Sequence, residues 1–187
     1  MEVENFEDVA LQLAEFIETA KNSQKLLIEN KYFGQALILM YSTMDSLGLL
    51  LSTPDQKYAT GKTFKAWAGA YFLPHANPEL DVTANDLWGA RCGVLHTFTA
   101  EFNEEQLKGT RQVQYYSGSS SHPLGQAMAK AAKEIDGGGK HVMISLEDLF
   151  ACFYRALSAS VVALVVLCEQ DRSHEVKIGK LLQSIRL

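Results

Sequence analysis

The chain is poor in the residues that mark several common protein classes. Its three cysteines, Cys92, Cys152 and Cys168, are far apart and odd in number, and no CxxC pair occurs. This argues against a disulfide framework and a cysteine-based zinc site, and for free thiols in a reducing cytoplasm. Basic residues are not in excess: 17 Lys and Arg stand against 22 Asp and Glu, for a net charge of -5. Such a balance gives no general attraction to nucleic acid, so any such role needs a local basic patch or a partner. The acidic start, MEVENFEDVA, has no apolar run and does not read as a signal peptide. A clean apolar run of about 20 residues is also missing. Leu149 to Cys168 comes nearest, but Tyr154, Arg155 and several Ser and Ala interrupt it, so a buried core helix is expected and no membrane association. The histidines His75, His96, His122, His141 and His174 form no HExxH or H-x3-H spacing, and GxSxG is absent. No metal, cofactor or nucleophile elbow is therefore expected. Gly61-Lys-Thr63 resembles a fragment of a phosphate loop, but Gln56 stands where the pattern needs glycine and no apolar strand precedes it. The glycines of Asp136 to Lys140 read as a hinge for the same reasons.

What is present is helical periodicity. Hydrophobic residues make up 47% of 187, enough for one sizeable core and a single domain over 1–187. Val9, Leu13, Phe16, Ile17, Ala20, Leu27 and Ile28 recur on one face of a first helix, Asn5 to Asn30. A second, from about Tyr32 to Ser52, is apolar nearly all round, which marks a central helix. A third runs from about Thr63 to Leu73 and ends at Pro74 and Pro78. A fourth spans Asp81 to Phe102, with Leu87, Val94, Leu95, Phe98 and Phe102 on its apolar stripe and Thr83-x-x-Asp86 as a capping box. Arg111 to Ser117 and His141 to Ser145 read as short strands flanking a small helix, Leu124 to Ile135. Together, 107–145 are expected to form an insertion with a two-stranded β-ribbon. Ser145-x-x-Asp148 caps a long helix to about Gln170, and a short helix from Glu175 to Ile185 closes the chain. The expected fold is all-α: a helical bundle with a small two-stranded β-ribbon insertion. Trp67, Tyr71, Phe72 and Trp88 are assigned to the core, and Tyr115 and Tyr116 to the solvent face of the ribbon.

Two charges stand out because their surroundings are apolar. Arg91 lies on the stripe of the fourth helix, four residues from both Leu87 and Leu95. Asp45 is the one charged residue of the second helix. A lone charge on a core-facing stripe is costly unless paired, so the two are expected to meet. His96 follows Arg91 at an Arg-x4-His spacing. Paired in this way, Arg91 and His96 read either as a core-edge ion pair with a backbone-bonded histidine or as a reactive couple.

Arg91-Cys-Gly-Val-Leu-His96 matches the Arg-x4-6-His motif of HEPN domains. YFGQALILMYSTMDSLGLL resembles that family's long second helix, and DLWGARCGVLHTF the helix that carries the motif. The resemblance covers roughly residues 5–102 and resumes near Ser145, leaving the insertion uncovered. It implies a cytoplasmic homodimer in which Arg91 and His96 of two subunits line a shared cleft. It also implies a metal-independent endoribonuclease with Arg91, His96 and Asp45 as catalytic residues and Cys92 and Tyr41 lining the substrate site. RNA, or a nucleotide, is the implied ligand, and an antitoxin or other protein the implied partner. Two positions depart from the family pattern: Cys92, where a polar residue such as Asn is common, and Phe98, where toxin-type members often carry Tyr. Members of the same group include non-catalytic modules that bind nucleotides or mediate assembly, which is the alternative reading.

Overall fold

The computed structural model describes residues 6–97, 109–135 and 138–183. The apolar periodicities become helices close to where the sequence puts them. Helix α1, Phe6–Glu29, buries Val9, Leu13, Ile17 and Ala20. Lys31 then takes a left-handed φ of 61° and turns the chain into α2, Phe33–Leu50. Gln24, fully buried, donates from Nε2 to the Ala36 carbonyl at 3.2 Å and fixes that turn to the start of α2.

Helix α2 is central, as its all-round apolarity requires, and packs against α1, against α3 (Gly61–Trp67), α4 (Ala84–Thr97), α6 (Leu146–Gln170) and α7 (Arg172–Gln183). Met40, Tyr41, Met44 and Leu47 on it are each 0% exposed. At Gly48 the backbone of α3 comes so close that an added Cβ would lie 2.7 Å from the Thr63 carbonyl oxygen. The last carbonyls of α2, which lack partners within the helix, are met by a buried lysine. Lys177 of α7 donates from Nζ to the Leu49, Ser52 and Thr53 carbonyls and to Ser52 Oγ, at 2.6 to 3.1 Å. A cation suits a helix C-terminus. Burial lowers the Lys177 pKa from its ordinary value.

Helix α3 begins two residues before the expected Thr63. The reason is a cap that sequence reading overlooked: Thr63 N donates to Thr60 Oγ1 at 3.2 Å, and Thr60 N to Thr63 Oγ1 at 2.9 Å. The Gly61-Lys-Thr63 fragment is thus a helix start. The helix widens into a π turn, Ala68–Phe72, and tightens into a 3-10 turn, Leu73–His75. Trp67 Nε1 donates to Ser160 Oγ of α6 at 2.7 Å, tying this segment to the longest helix.

The insertion differs from a simple ribbon. Strands β1, Gln112–Tyr116, and β2, His141–Ser145, are parallel, with Gln112 opposite His141 and Tyr116 opposite Ser145. Parallel neighbours need a crossover, and α5, Pro123–Glu134, supplies it. The unit is a βαβ whose Val113, Val142 and Ile144 join the same hydrophobic cluster as the helices. Tyr115 and Tyr116 do not face solvent as expected. Tyr116 is 9% exposed, and Tyr115 packs against the core. The two point to opposite faces of the strand, and both faces are covered: Tyr115 meets Tyr41 of α2, and Tyr116 lies against Gly125 of α5. Helix α6 follows β2 without a loop, and Asp148 N donates to Ser145 Oγ as expected. The reciprocal arm of that cap is diverted: the Asp148 carboxylate accepts from Ser120 N, and Glu147 accepts from Gly118 N and Ser117 Oγ. Among the described residues, α6 is the one helix long and apolar enough to cross a membrane, and Leu149, Phe153, Ala156 and Leu164 on it are core residues.

Candidate functional site

Asp45 and Arg91 meet. Arg91 Nε and Nη2 lie 2.8 and 2.7 Å from Asp45 Oδ2, joining α2 to α4. Each helix brings its charge there because the neighbouring positions, Met44 and Leu47 on α2 and Leu87 and Ala90 on α4, are committed to the core. The pair lies at the edge of that core, with 13% of the Asp45 side chain and 19% of the Arg91 side chain exposed. It is shielded from bulk water without being lost to solution. The guanidinium also lies over the Trp88 ring, 5.0 Å from its centroid, where ring quadrupole and cation attract. Trp88 is held in turn by Phe64, 5.4 Å away, and by Gly61, where an added Cβ would meet the indole at 2.9 Å. The cation therefore sits between a carboxylate and an aromatic face, both fixed by packing.

Cys92 is half-buried beside the pair. Burial pushes its thiol pKa up, only partly offset by the Arg91 charge, so the group is neutral near pH 7 and a poor nucleophile. Tyr41, expected to line the substrate site, is instead in the core at 0% exposure. Its hydroxyl shares a 2.6 Å hydrogen bond with the Tyr115 hydroxyl, and burial pushes both phenols above their ordinary range. Tyr41 therefore offers no surface to a substrate and fastens β1 to α2. His96 belongs to α4, five residues after Arg91. On a regular helix that step rises about 7.5 Å and turns about 140°. The His96 side chain lies outside the described residues, as do Phe98 and Phe102.

A second charged centre went unread in the sequence. Arg111, just before β1, donates to the Asp86 carboxylate from its backbone N at 2.8 Å, from Nε at 3.2 Å and from Nη2 at 2.7 Å. Its Nη1 and Nη2 also reach Asp81, whose carboxylate pairs with Lys133 of α5 at 3.1 Å. Asp86 completes the expected capping box with Thr83 as well. Its side chain is 1% exposed. Burial alone would raise its pKa, but the bonds from Arg111 and Thr83 outweigh that and hold it below the usual carboxylate range. The capping box was legible, whereas Arg111 carried no signal beyond opening a strand.

Among the described residues, no group of three or more His, Cys, Asp or Glu side chains is placed to hold a metal ion. Comparison with protein families, curated proteins and solved structures finds no match. A fixed, partly exposed guanidinium can bind an oxyanion such as a phosphodiester.

Proposed function

We propose that the chain is a HEPN-like, metal-independent endoribonuclease that works as a homodimer, in a toxin or defence setting. The observation that carries this reading is the placement of Arg91. It is anchored by Asp45 and Trp88 at the solvent edge of the core, on the helix that presents His96. RNA supplies its own nucleophile, the 2′-OH beside each phosphodiester. His96 accepts the 2′-OH proton, the 2′-oxygen bonds to phosphorus, the P–O5′ bond breaks and the 5′-oxygen takes up a proton. Arg91 neutralises the charge that builds on the phosphoryl oxygens, and Asp45 holds it in place. The products are a 2′,3′-cyclic phosphate and a 5′-hydroxyl. A five-residue step on a regular helix turns about 140°, so in the homodimer a second copy of α4 supplies the histidine that works with each subunit's arginine. Purified protein incubated with RNA in EDTA should cleave it, and Arg91→Ala and His96→Ala should each abolish cleavage. Absence of cleavage, or cleavage unchanged in both variants, overturns the reading.

The second reading is a non-catalytic dimer that binds a nucleotide or a partner protein at the same place. It is favoured by the neutral Cys92 thiol beside Arg91 and by the net charge of -5. Under it, nucleotides raise the melting temperature of the wild type but not of Arg91→Ala, and RNA stays intact.

A further inference from the structure

A cavity of about 420 Å³ opens between α1 and α2 and is bounded at one end by Leu182 of α7. The Asp45–Arg91 pair does not line it. Its volume falls within the range of small-molecule sites, about 300–1,000 Å³. Phe16, Ala20, Leu39 and Leu182 give it an apolar wall. Its polar lining includes the Thr19, Ser23 and Ser42 hydroxyls and the Gln12 amide, and two further hydroxyls whose protons are engaged. Thr43 Oγ1 donates to the Leu39 carbonyl at 2.8 Å and Ser46 Oγ to the Ser42 carbonyl at 3.1 Å. A hydroxyl has one proton to give, so both oxygens offer only lone pairs to anything beside them. Thr43 is 4% exposed and Gln12, which also lines the cavity, 5%. These are built-in polar walls rather than mobile surface groups. Glu15 is the one charged residue among the described residues that line the cavity.

Acceptors, a carboxylate and an apolar wall are complementary to one ligand chemistry. The geometry points to a binding site for a small organic ammonium with an apolar body, such as an arylalkylamine. The ammonium N–H groups donate to Thr43 Oγ1 and Ser46 Oγ, Glu15 balances the charge, and the apolar body lies against Phe16, Ala20, Leu39 and Leu182. An alcohol of the same shape lacks the charge. A carboxylate would meet like-charge repulsion from Glu15.

Isothermal titration of the full chain with phenethylamine, 2-phenylethanol and 3-phenylpropionate tests this. The amine should bind saturably, the alcohol about tenfold more weakly, and the carboxylate not measurably. Glu15→Gln and Ser46→Ala, both outside the core, should each weaken the amine while leaving the melting temperature unchanged. Ala20→Phe, which fills the cavity, should abolish binding. Equal binding of amine and alcohol, no saturable binding of the amine, or full amine binding by Ala20→Phe overturns the proposal. So does a change of oligomeric state in Ala20→Phe by light scattering, which would make a second copy of the chain the occupant.

Discussion

Helix α4 holds two Asp–Arg pairs that differ in kind. Near its start, Asp86 is buried, accepts from Thr83 and from three nitrogens of Arg111, and has no accessible face to speak of. Further along, Arg91 Nε and Nη2 meet Asp45 Oδ2, with 19% of the arginine and 13% of the aspartate side chain exposed. The first pair joins the βαβ unit to the bundle, and every part of it is spent on that attachment. The second joins two helices but leaves its cation at the surface, beside an aromatic ring that fixes its position. The two arginines are about equally exposed, 22% for Arg111 and 19% for Arg91, and it is the carboxylates that differ, 1% for Asp86 and 13% for Asp45. Arg111 is shared between two carboxylates, Asp86 and Asp81, whereas Arg91 lies over the Trp88 ring. The two pairs thus divide by the burial of the carboxylate and by what else touches the cation.

The difference should show first in stability. Asp86→Ala removes a buried carboxylate that accepts from Arg111 and Thr83, and with it an N-cap arm, and should cost about 2.5–4 kcal/mol in urea unfolding. A loss no larger than that of Arg91→Ala would erase the distinction. Arg91→Ala should cost less, about 1.5–3 kcal/mol, because it breaks an ion pair but no helix cap. The variant should remain folded by circular dichroism, which separates an effect on RNA cleavage from collapse of the protein. Tyr41→Phe leaves the Tyr115 hydroxyl without its partner and should cost about 1 kcal/mol. Its effect on RNA cleavage should be nil, since Tyr41 is a core residue. A cleavage defect would return Tyr41 to the site.

The smallest expected effect is on the acid limb. Asp86 and Asp148 are pushed up by burial but pulled further down by their hydrogen bonds, and Asp81 is held down first by Lys133 and then by Arg111. A carboxylate depressed in the folded state adds stability that is present above its unfolded value, about 3.9, and is lost as pH falls through the folded value. The urea midpoint should fall as pH drops from about 5 to about 2. Asp86→Asn should flatten that slope. An unchanged slope would mean that the Arg111 and Thr83 bonds do not hold the Asp86 carboxyl down.

Some of this was readable in one dimension and some was not. Asp45 and Arg91 are 46 residues apart, yet each was a lone charge among apolar neighbours, so desolvation cost made them look for each other. Asp86 and Arg111 are only 25 apart, but Asp86 already had a local role as a capping residue and Arg111 stood in polar sequence, so neither was conspicuous. Tyr41 was legible as part of an apolar helix, but its bond to Tyr115, 74 residues away, left no trace in any periodicity. The strands were legible as alternating runs, whereas their parallel direction depended on how α5 crosses between them.

The sequence by itself determined where the helices lie, that α2 is central, and that two opposite charges are caught on apolar faces. These follow from local spacing and from the cost of burying charge, which every residue carries wherever the chain goes. Only the tertiary structure decided which carboxylate is buried with its arginine's donors and which stays at the edge of the core. It also decided that the strands run parallel, that Tyr41 is a fastening, and that α1 and α2 leave a cavity lined in part by spent hydroxyls. Those features depend on the distance between groups remote in sequence, and the packing of whole helices sets that distance.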